Sequence, residues 1–383
     1  MREFRFHTST PVQFGVGLAD KLGTHAQKLG LRHALLVTDA ALAQTEMVAR
    51  AQRSLRDADV AVTLYSDVAL DPDAASIKRG ADALQASGAD GLVALGGGSA
   101  MDSAKAMAVL VADGTDDATE YATVTGTRAI PPIMPLICLP TTSGTGSEVT
   151  NVAVVTDPMA NMKRSLVSPY LAPSLALVDP ALTVSMPPRL TASTGMDALS
   201  HAVETMTTVF ANPVSDALAL PAIELIGRYL ERAVEDGNDI EAREGMSLAA
   251  LMAGLAFPSG LLHMGHAVGH ALGTAYHTPH GLACTVALPA ALTFIETAVA
   301  EPLDRVRRAL LVSGRFSPDQ TAPEMIRALY QRVGLPGLAS AIGVTRDDLP
   351  MVADLVMRED RLIVRSPVKP TRDDWVRILE QSL

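Results

Sequence analysis

Five of the chain's nine histidines fall in the stretch HMGHAVGHALGTAYHTPHG, at His263, His266, His270, His277 and His280. A sixth, His201, follows Asp197 by four residues in GMDALSHAVE. Imidazole is the commonest protein metal ligand and titrates near neutrality, so a patterned cluster points to metal or proton chemistry. On a helix, Asp197 and His201 at i and i+4 share one face and can grip one ion. His266 and His270 repeat that spacing on a second helix. Pro279 is expected to end that helix and to present His280 from a turn.

A second set of residues suits a phosphate-bearing ligand. Gly96, Gly97, Gly98 and Ser99 follow an apolar run and precede the helical stretch AMDSAKAMAVL. Glycines let backbone approach a phosphate, and a helix N-terminus offers N–H groups and the positive end of its dipole. Ser99 reads as the N-cap, with Asp102 completing a capping-box-like pair. The loop reads equally as an ordinary glycine turn, since neither G-x-G-x-x-G nor a P-loop is present. Asp39 ends the run HALLVTD, where an acid can bind the ribose hydroxyls of NAD and repel the 2′-phosphate of NADP. It reads equally as an N-cap for AALAQTEM. Thr141, Thr142 and Thr145 lie in PTTSGTGSEVT, a run of small and hydroxyl residues able to approach a ligand.

The elements that must position these groups divide the chain in two. Apolar runs at 33–39, 59–68, 90–99, 131–142, 152–157 and 174–182 alternate with helical stretches, the pattern of βαβ units and a mainly parallel sheet. After MPPRL at 186–190 the periodicity is helical, with Pro213 and Pro221 punctuating the helices. The expected organisation is an α/β dinucleotide-binding domain over 1–185, with a Rossmann-like parallel sheet, and an all-helical metal-binding domain over 186–383. A cleft between them is the expected ligand site. The 383 residues, 48% apolar and 19% charged, allow large cores, and 4% aromatics means these are built mainly from aliphatic side chains. A net charge of −11 argues against nucleic acid as a partner and weakens attraction to anionic membranes. Cys138 and Cys284 read as buried free thiols. The start has no apolar leader, and no run of about 18 apolar residues is visible, so a cytoplasmic protein without a membrane span is expected.

Taken together, GGGSAMDSAK, PTTSGTGSEVT, GMDALSHAVE and HAVGHALGTAYHTPHG resemble the iron-containing (group III) alcohol dehydrogenases over essentially the whole chain. The resemblance implies a dehydroquinate-synthase-like fold, NAD rather than NADP, and one divalent metal, Fe²⁺ ahead of Zn²⁺. It implies Asp197, His201, His266 and His280 as metal ligands, with His270 beside the substrate as a proton-relaying catalytic residue. Gly97, Gly98, Ser99 and Asp102 match the pyrophosphate loop. Thr141, Thr142 and Thr145 match the loop beside the cofactor, Asp39 the position tied to NAD preference, and Asn151 and Lys163 further cofactor contacts. The implied reaction is reversible hydride transfer between NAD and a small alcohol, with a diol or hydroxy acid among the candidates. A homodimer or higher homo-oligomer is implied too, for which REFRFHTSTPVQFG can supply a strand.

Rival readings remain on the same residues. A maleylacetate-reductase-like enzyme, a polyol dehydrogenase or a dehydroquinate-synthase-like lyase would share the fold. A protein that binds NAD and metal without catalysis is the rival of another class. His263 and His277 read either as lining a pocket for a polar or anionic substrate or as capping and solvating helix ends.

Overall fold

Short apolar runs in the first half build a sheet covered on both faces. The computed structural model describes residues 3–160 and 162–383. Its strands are β1 (Val12–Phe14), β2 (His33–Val37), β3 (Ala61–Tyr65), β4 (Gly91–Gly96), β5 (Leu136–Pro140), β6 (Val152–Asp157), β7 (Met162–Val167) and β8 (Leu175–Val178). Among the described residues, six of these form one sheet in the order β1-β8-β5-β4-β2-β3, every pair parallel. Helices α1 (Leu22–Lys28), α2 (Glu46–Asp57), α3 (Ala74–Ser87) and α4 (Gly98–Asp113) flank it.

Successive side chains of one strand serve opposite layers, as a pleated strand requires. Ala34, Leu36, Val93, Leu95, Ile137 and Leu139 pack with Leu22 of α1 and Val48 and Leu55 of α2. Their neighbours Leu35, Val37, Leu92, Ala94, Leu136 and Cys138 pack with Ile77 and Leu84 of α3 and Met101 and Leu110 of α4. Each fully buried aliphatic side chain contributes roughly 1.5–3 kcal/mol. A parallel sheet buried on both faces therefore reads as near-continuous apolar runs.

Two strands depart from the expected pattern. The run VAVVTD folds as β6 but leaves the main sheet and pairs antiparallel with β7, Val154 opposite Ser165. Only Ala153 and Val155 of that run are fully buried, the one-sided burial of an antiparallel ribbon. Part of the opening segment, whose first two residues lie outside the described ones, pairs within the chain: β1 runs parallel to β8, Gln13 opposite Leu177.

By spatial clustering, Thr8–Thr142 and Ser147–Val184 form one unit, and Ser185–Leu383 with Ser143–Gly146 and a short N-terminal segment form another. The second unit is helical. It opens with α5 (Pro188–Thr207), α6 (Pro213–Glu235), α7 (Ile240–Gly260), α8 (Met264–Tyr276) and α9 (His280–Thr285), and shorter helices follow to Arg372–Glu380. Proline at the first helical position starts both α5 and α6. Asn212 caps α6 through the amides of Val214 and Ser215. Pro221, expected to interrupt, instead sits inside the continuous α6.

From Leu199 to Thr207 every residue of α5 is buried, so this helix is the axis of the unit rather than an amphipathic surface element. α7 ends at Leu261 with φ 68°, and the chain turns by 103° into α8. The stretch His280–Leu311 has the length and composition of a membrane span, but 72% of its apolar window is buried inside the protein, a core role.

Candidate metal centre and nucleotide loops

Three elements of the helical unit converge on one point. Asp197 and His201 come from α5, His266 and His270 from α8, and His280 from the first turn of α9. Pro279 occupies the position before α9 and begins a new helix rather than leaving His280 in a turn, because a proline ring suits a helix start. One donor atom from each of Asp197, His266, His280 and Cys284 lies within 4.8 Å of every other. Nε2 of His280 is 3.9 Å from Oδ1 of Asp197. Asp197 and His266 are 2% and 3% exposed, whereas the His280 side chain is 40% exposed.

The carboxylate of Glu204 orients this cluster. It is fully buried on α5, seven residues after Asp197 and hence on the same face. Its Oε2 lies 2.5 Å from Nδ1 of His266, and its Oε1 accepts the Gly265 amide at 2.5 Å. A proton on Nδ1 leaves Nε2 of His266 as the lone-pair nitrogen, the arrangement by which carboxylates prepare metal-binding imidazoles. Sequence reasoning passed over Glu204, although the Asp197–His201–Glu204 spacing carried the signal.

The residues present fit a cation. Oδ1 of Asp197, Nε2 of His266 and Nδ1 of His201 are buried without a hydrogen-bond partner among the described residues. Orphaned polar atoms inside a protein are costly unless something satisfies them. Burial pushes the Asp197 carboxyl up to about 6, with His280 pulling the other way. Burial pushes His201 down to about 4 and holds His266 well below the usual imidazole range, where His201 and His270 add repulsion. The rings of His201 and His266 are therefore neutral near pH 7, as ligation demands.

His201 stands beside the four-donor cluster rather than in it. Its ring stacks on His266 with centroids 4.8 Å apart and on Phe257 at 4.7 Å, and the Gly144 backbone hydrogen-bonds it. His270 lies with its ring 6.2 Å from that of His280 and its Nδ1 3.4 Å from Oε2 of Glu359. His263 is 1% exposed; its Nε2 meets Thr207 Oγ1 at 2.9 Å and its Nδ1 is 3.9 Å from Glu204. That ring is enclosed by α5. His277 is exposed at the end of α8, with φ 51°.

The expected nucleotide residues gather at the carboxyl ends of adjacent strands. β2 runs out into Asp39, β4 into Gly97, and β5 into Thr141 and Thr142, with Gly96 opposite Pro140 in register. From β2 the chain goes to β3 on one side and β4 on the other, so the order reverses between β2 and β4. Such a reversal is where open α/β sheets bind ligands. The Asp39 carboxylate accepts the amides of Ala41 and Leu42 at 2.9 Å each, so the capping role exists.

Gly97, not Ser99, precedes α4, and no side chain caps that helix. Gly98 and Ser99 form its first turn, and Ser99 Oγ donates to the Leu70 carbonyl at 2.6 Å. Asp102 does not complete a capping box. It turns inward, accepting from Ser147 Oγ at 2.6 Å and the Val154 amide at 3.1 Å. One turn on, the fully buried Lys105 donates to the carbonyls of Ser147, Thr150 and Val152 at 2.7, 3.0 and 2.8 Å. Asp102 and Lys105 thus tie the segment after the threonine loop to α4. Thr145 belongs to Ser143–Gly146, which clusters with the helical unit: Ser143 Oγ lies 3.2 Å from Ser247 Oγ. Lys163, on β7, pairs with Asp71, and the Asn151 carbonyl accepts the Ser168 amide at 3.1 Å.

Comparison with known proteins covers nearly the whole chain. Residues 9–180 match the family described as iron-containing alcohol dehydrogenase, and residues 191–383 match the C-terminal part of the Fe-containing alcohol dehydrogenase family. An NAD-dependent methanol dehydrogenase of Bacillus methanolicus is 35% identical over 375 residues, spanning 96% of this chain and 97% of that protein. The crystal structure of a 1,3-propanediol oxidoreductase superposes with a TM-score of 0.92 at 33% identity, covering 100% of both chains. A sulfoacetaldehyde reductase from Bifidobacterium kashiwanohense, solved with NAD⁺, gives 0.89 at 31% identity, covering 100% of this chain and 99% of that one.

Fold and site together define a metal-dependent, nicotinamide-linked oxidoreductase of small alcohols and aldehydes. The chain belongs to the iron-containing alcohol dehydrogenase family.

Proposed function

We propose that the protein interconverts a small alcohol and its aldehyde with NAD rather than NADP, using Fe²⁺ held by Asp197, His201, His266 and His280. The observation that carries the metal assignment is the convergence of Asp197, His266 and His280, where Oδ1 of Asp197 and Nε2 of His266 are buried with no hydrogen-bond partner among the described residues. A bound divalent ion would supply Lewis-acid polarisation of the alcohol oxygen, and NAD would accept the hydride. Glu204 holds Nδ1 of His266 and leaves Nε2 as the nitrogen that would meet the ion. His270 moves the substrate hydroxyl proton outward, with the Glu359 carboxylate 3.4 Å from its Nδ1. Oxygen and imidazole donors accept both iron and zinc, so family membership is the ground for Fe²⁺.

Gly97, Gly98 and Ser99 place the start of α4 against the pyrophosphate, with Asp102 bracing the loop behind it. Thr141, Thr142 and Thr145 flank the cofactor, and Asn151 and Lys163 contribute further contacts. Asp39 sits at the strand-order reversal, where its charge disfavours a 2′-phosphate. The domain assignment is a nucleotide-binding α/β domain over 1–185 and a metal-binding helical domain over 186–383. A cytoplasmic homo-oligomer completes the reading, and the edge strand β1, with Phe14 38% exposed, supports self-association.

The test is NADH oxidation against a panel of small aldehydes by metal-stripped enzyme, with Fe²⁺ or Zn²⁺ restored in parallel. Activity that returns only with metal, and best with Fe²⁺, is expected. Full activity without metal would defeat the proposal and favour a maleylacetate-reductase-like reaction.

A further inference from the structure

α7 ends in two adjacent positions that both ask for glycine, and only the first has one. At Gly260 a Cβ would fall 2.4 Å from Thr205 Cγ2, so α7 meets α5 there by close contact. Leu261 follows with φ 68° and ψ 158°, a conformation essentially restricted to glycine. Among the described residues, the other non-glycine positions with positive φ are Asp59 and His277, residue types that tolerate the left-handed region. Neighbours hold the turn in place. The Leu261 amide donates to the Phe257 carbonyl at 2.7 Å, the Leu262 carbonyl accepts Nη1 of Arg365 at 3.4 Å, and the Leu262 side chain lies in the helical core. Leu261 itself is half-buried and, among the described residues, is not one of the apolar side chains packed on that core. Core packing therefore does not account for a leucine where glycine would be free of strain.

Its position beside the metal centre does. Leu261 stands four residues after Phe257, so the two lie on one face. Phe257 is half-buried, and its ring stacks on that of His201 at 4.7 Å. The pair spans about 6 Å, the rise of four helical residues, which is enough for a short alkyl chain. We propose that Leu261 is a specificity-determining residue whose side chain continues the apolar wall begun by Phe257. The substrate it fits is a primary alcohol or aldehyde with an unbranched alkyl chain, rather than a diol or hydroxy acid. The proposal rests on the metal-dependent alcohol dehydrogenase reading above.

The test compares Fe²⁺-loaded native enzyme, Leu261→Ala and Leu261→Gly with NADH and straight-chain aldehydes from acetaldehyde to hexanal, with 3-hydroxypropanal and glyoxylate alongside. In native enzyme kcat/KM should rise about fourfold for each methylene buried. In both variants the hexanal-to-acetaldehyde ratio of kcat/KM should fall about tenfold or more, with metal content as in the native protein. Leu261→Gly should unfold at a temperature no lower than the native enzyme, because the backbone strain is released. An unchanged or higher ratio in either variant, a lower unfolding temperature for Leu261→Gly, or a native preference for 3-hydroxypropanal or glyoxylate overturns the proposal and leaves the dehydrogenase reading standing. No turnover of any aldehyde by metal-loaded native enzyme overturns both.

Discussion

Nδ1 of His266 lies 2.5 Å from Oε2 of Glu204, both side chains buried between α5 and α8. This contact fixes which nitrogen of His266 carries the proton. Glu204→Gln retains an acceptor but removes the charge, and should weaken metal retention about 10- to 100-fold. Glu204→Leu, which frees the ring, should cost more. Metal content after dialysis against a graded chelator series measures both; equal retention in all three proteins would refute the orienting role.

Metal retention should depend on acid through Asp197 first. Its carboxyl is raised from 3.8 to about 6 by burial, so a proton competes with the ion as pH falls through about 6. His201, lowered to about 4, and His266 compete only at lower pH. In the metal-free protein the sign reverses. A raised carboxyl stabilises the fold below its unfolded value and loses that contribution as pH rises through about 6. The gap in Tm between metal-loaded and metal-free enzyme should therefore widen from pH 5 to pH 7; a constant gap would contradict this.

His270→Ala should lower kcat by about 10²- to 10⁴-fold, the range for a lost proton-transfer group, with metal content unchanged. Loss of metal in that variant would make His270 a ligand. Glu359→Gln, altering the group 3.4 Å from His270 Nδ1, should lower kcat less and shift the pH profile.

Asp39→Asn separates the two roles of that side chain. The amide oxygen still caps Ala41 and Leu42, while the charge is gone. The kcat/KM ratio for NADP⁺ over NAD⁺ should rise at least about tenfold, or ~1.4 kcal/mol. An unchanged ratio would leave only the cap.

Lys105→Met should destabilise the α/β unit on the order of 3 kcal/mol, since the carbonyls of Ser147, Thr150 and Val152 would lose a charged donor inside the protein. Thermal unfolding checks this. A change within 0.5 kcal/mol would show that water replaces the ammonium.

Much of this arrangement is local and therefore written in spacing. Asp197, His201 and Glu204 at steps of four and three must share a face of any helix they occupy, and apolar runs between helical stretches demand a parallel sheet. The glycines after β4 and the threonines after β5 follow strands for the same local reason.

What spacing could not give is which faces meet. Cys284 reads as core because its neighbours are apolar; only the packing of α9 on Gly269 of α8 brings its sulfur beside His280 and Asp197. Asp102 has the spacing of a cap, yet the tertiary fold supplies Ser147 and Val154 as better partners. VAVVTD carries a strand pattern, but its partner β7, and so its sheet, is decided by long-range pairing. Periodicity specifies what a segment can bury; the neighbours that bury it exist only once the chain has folded.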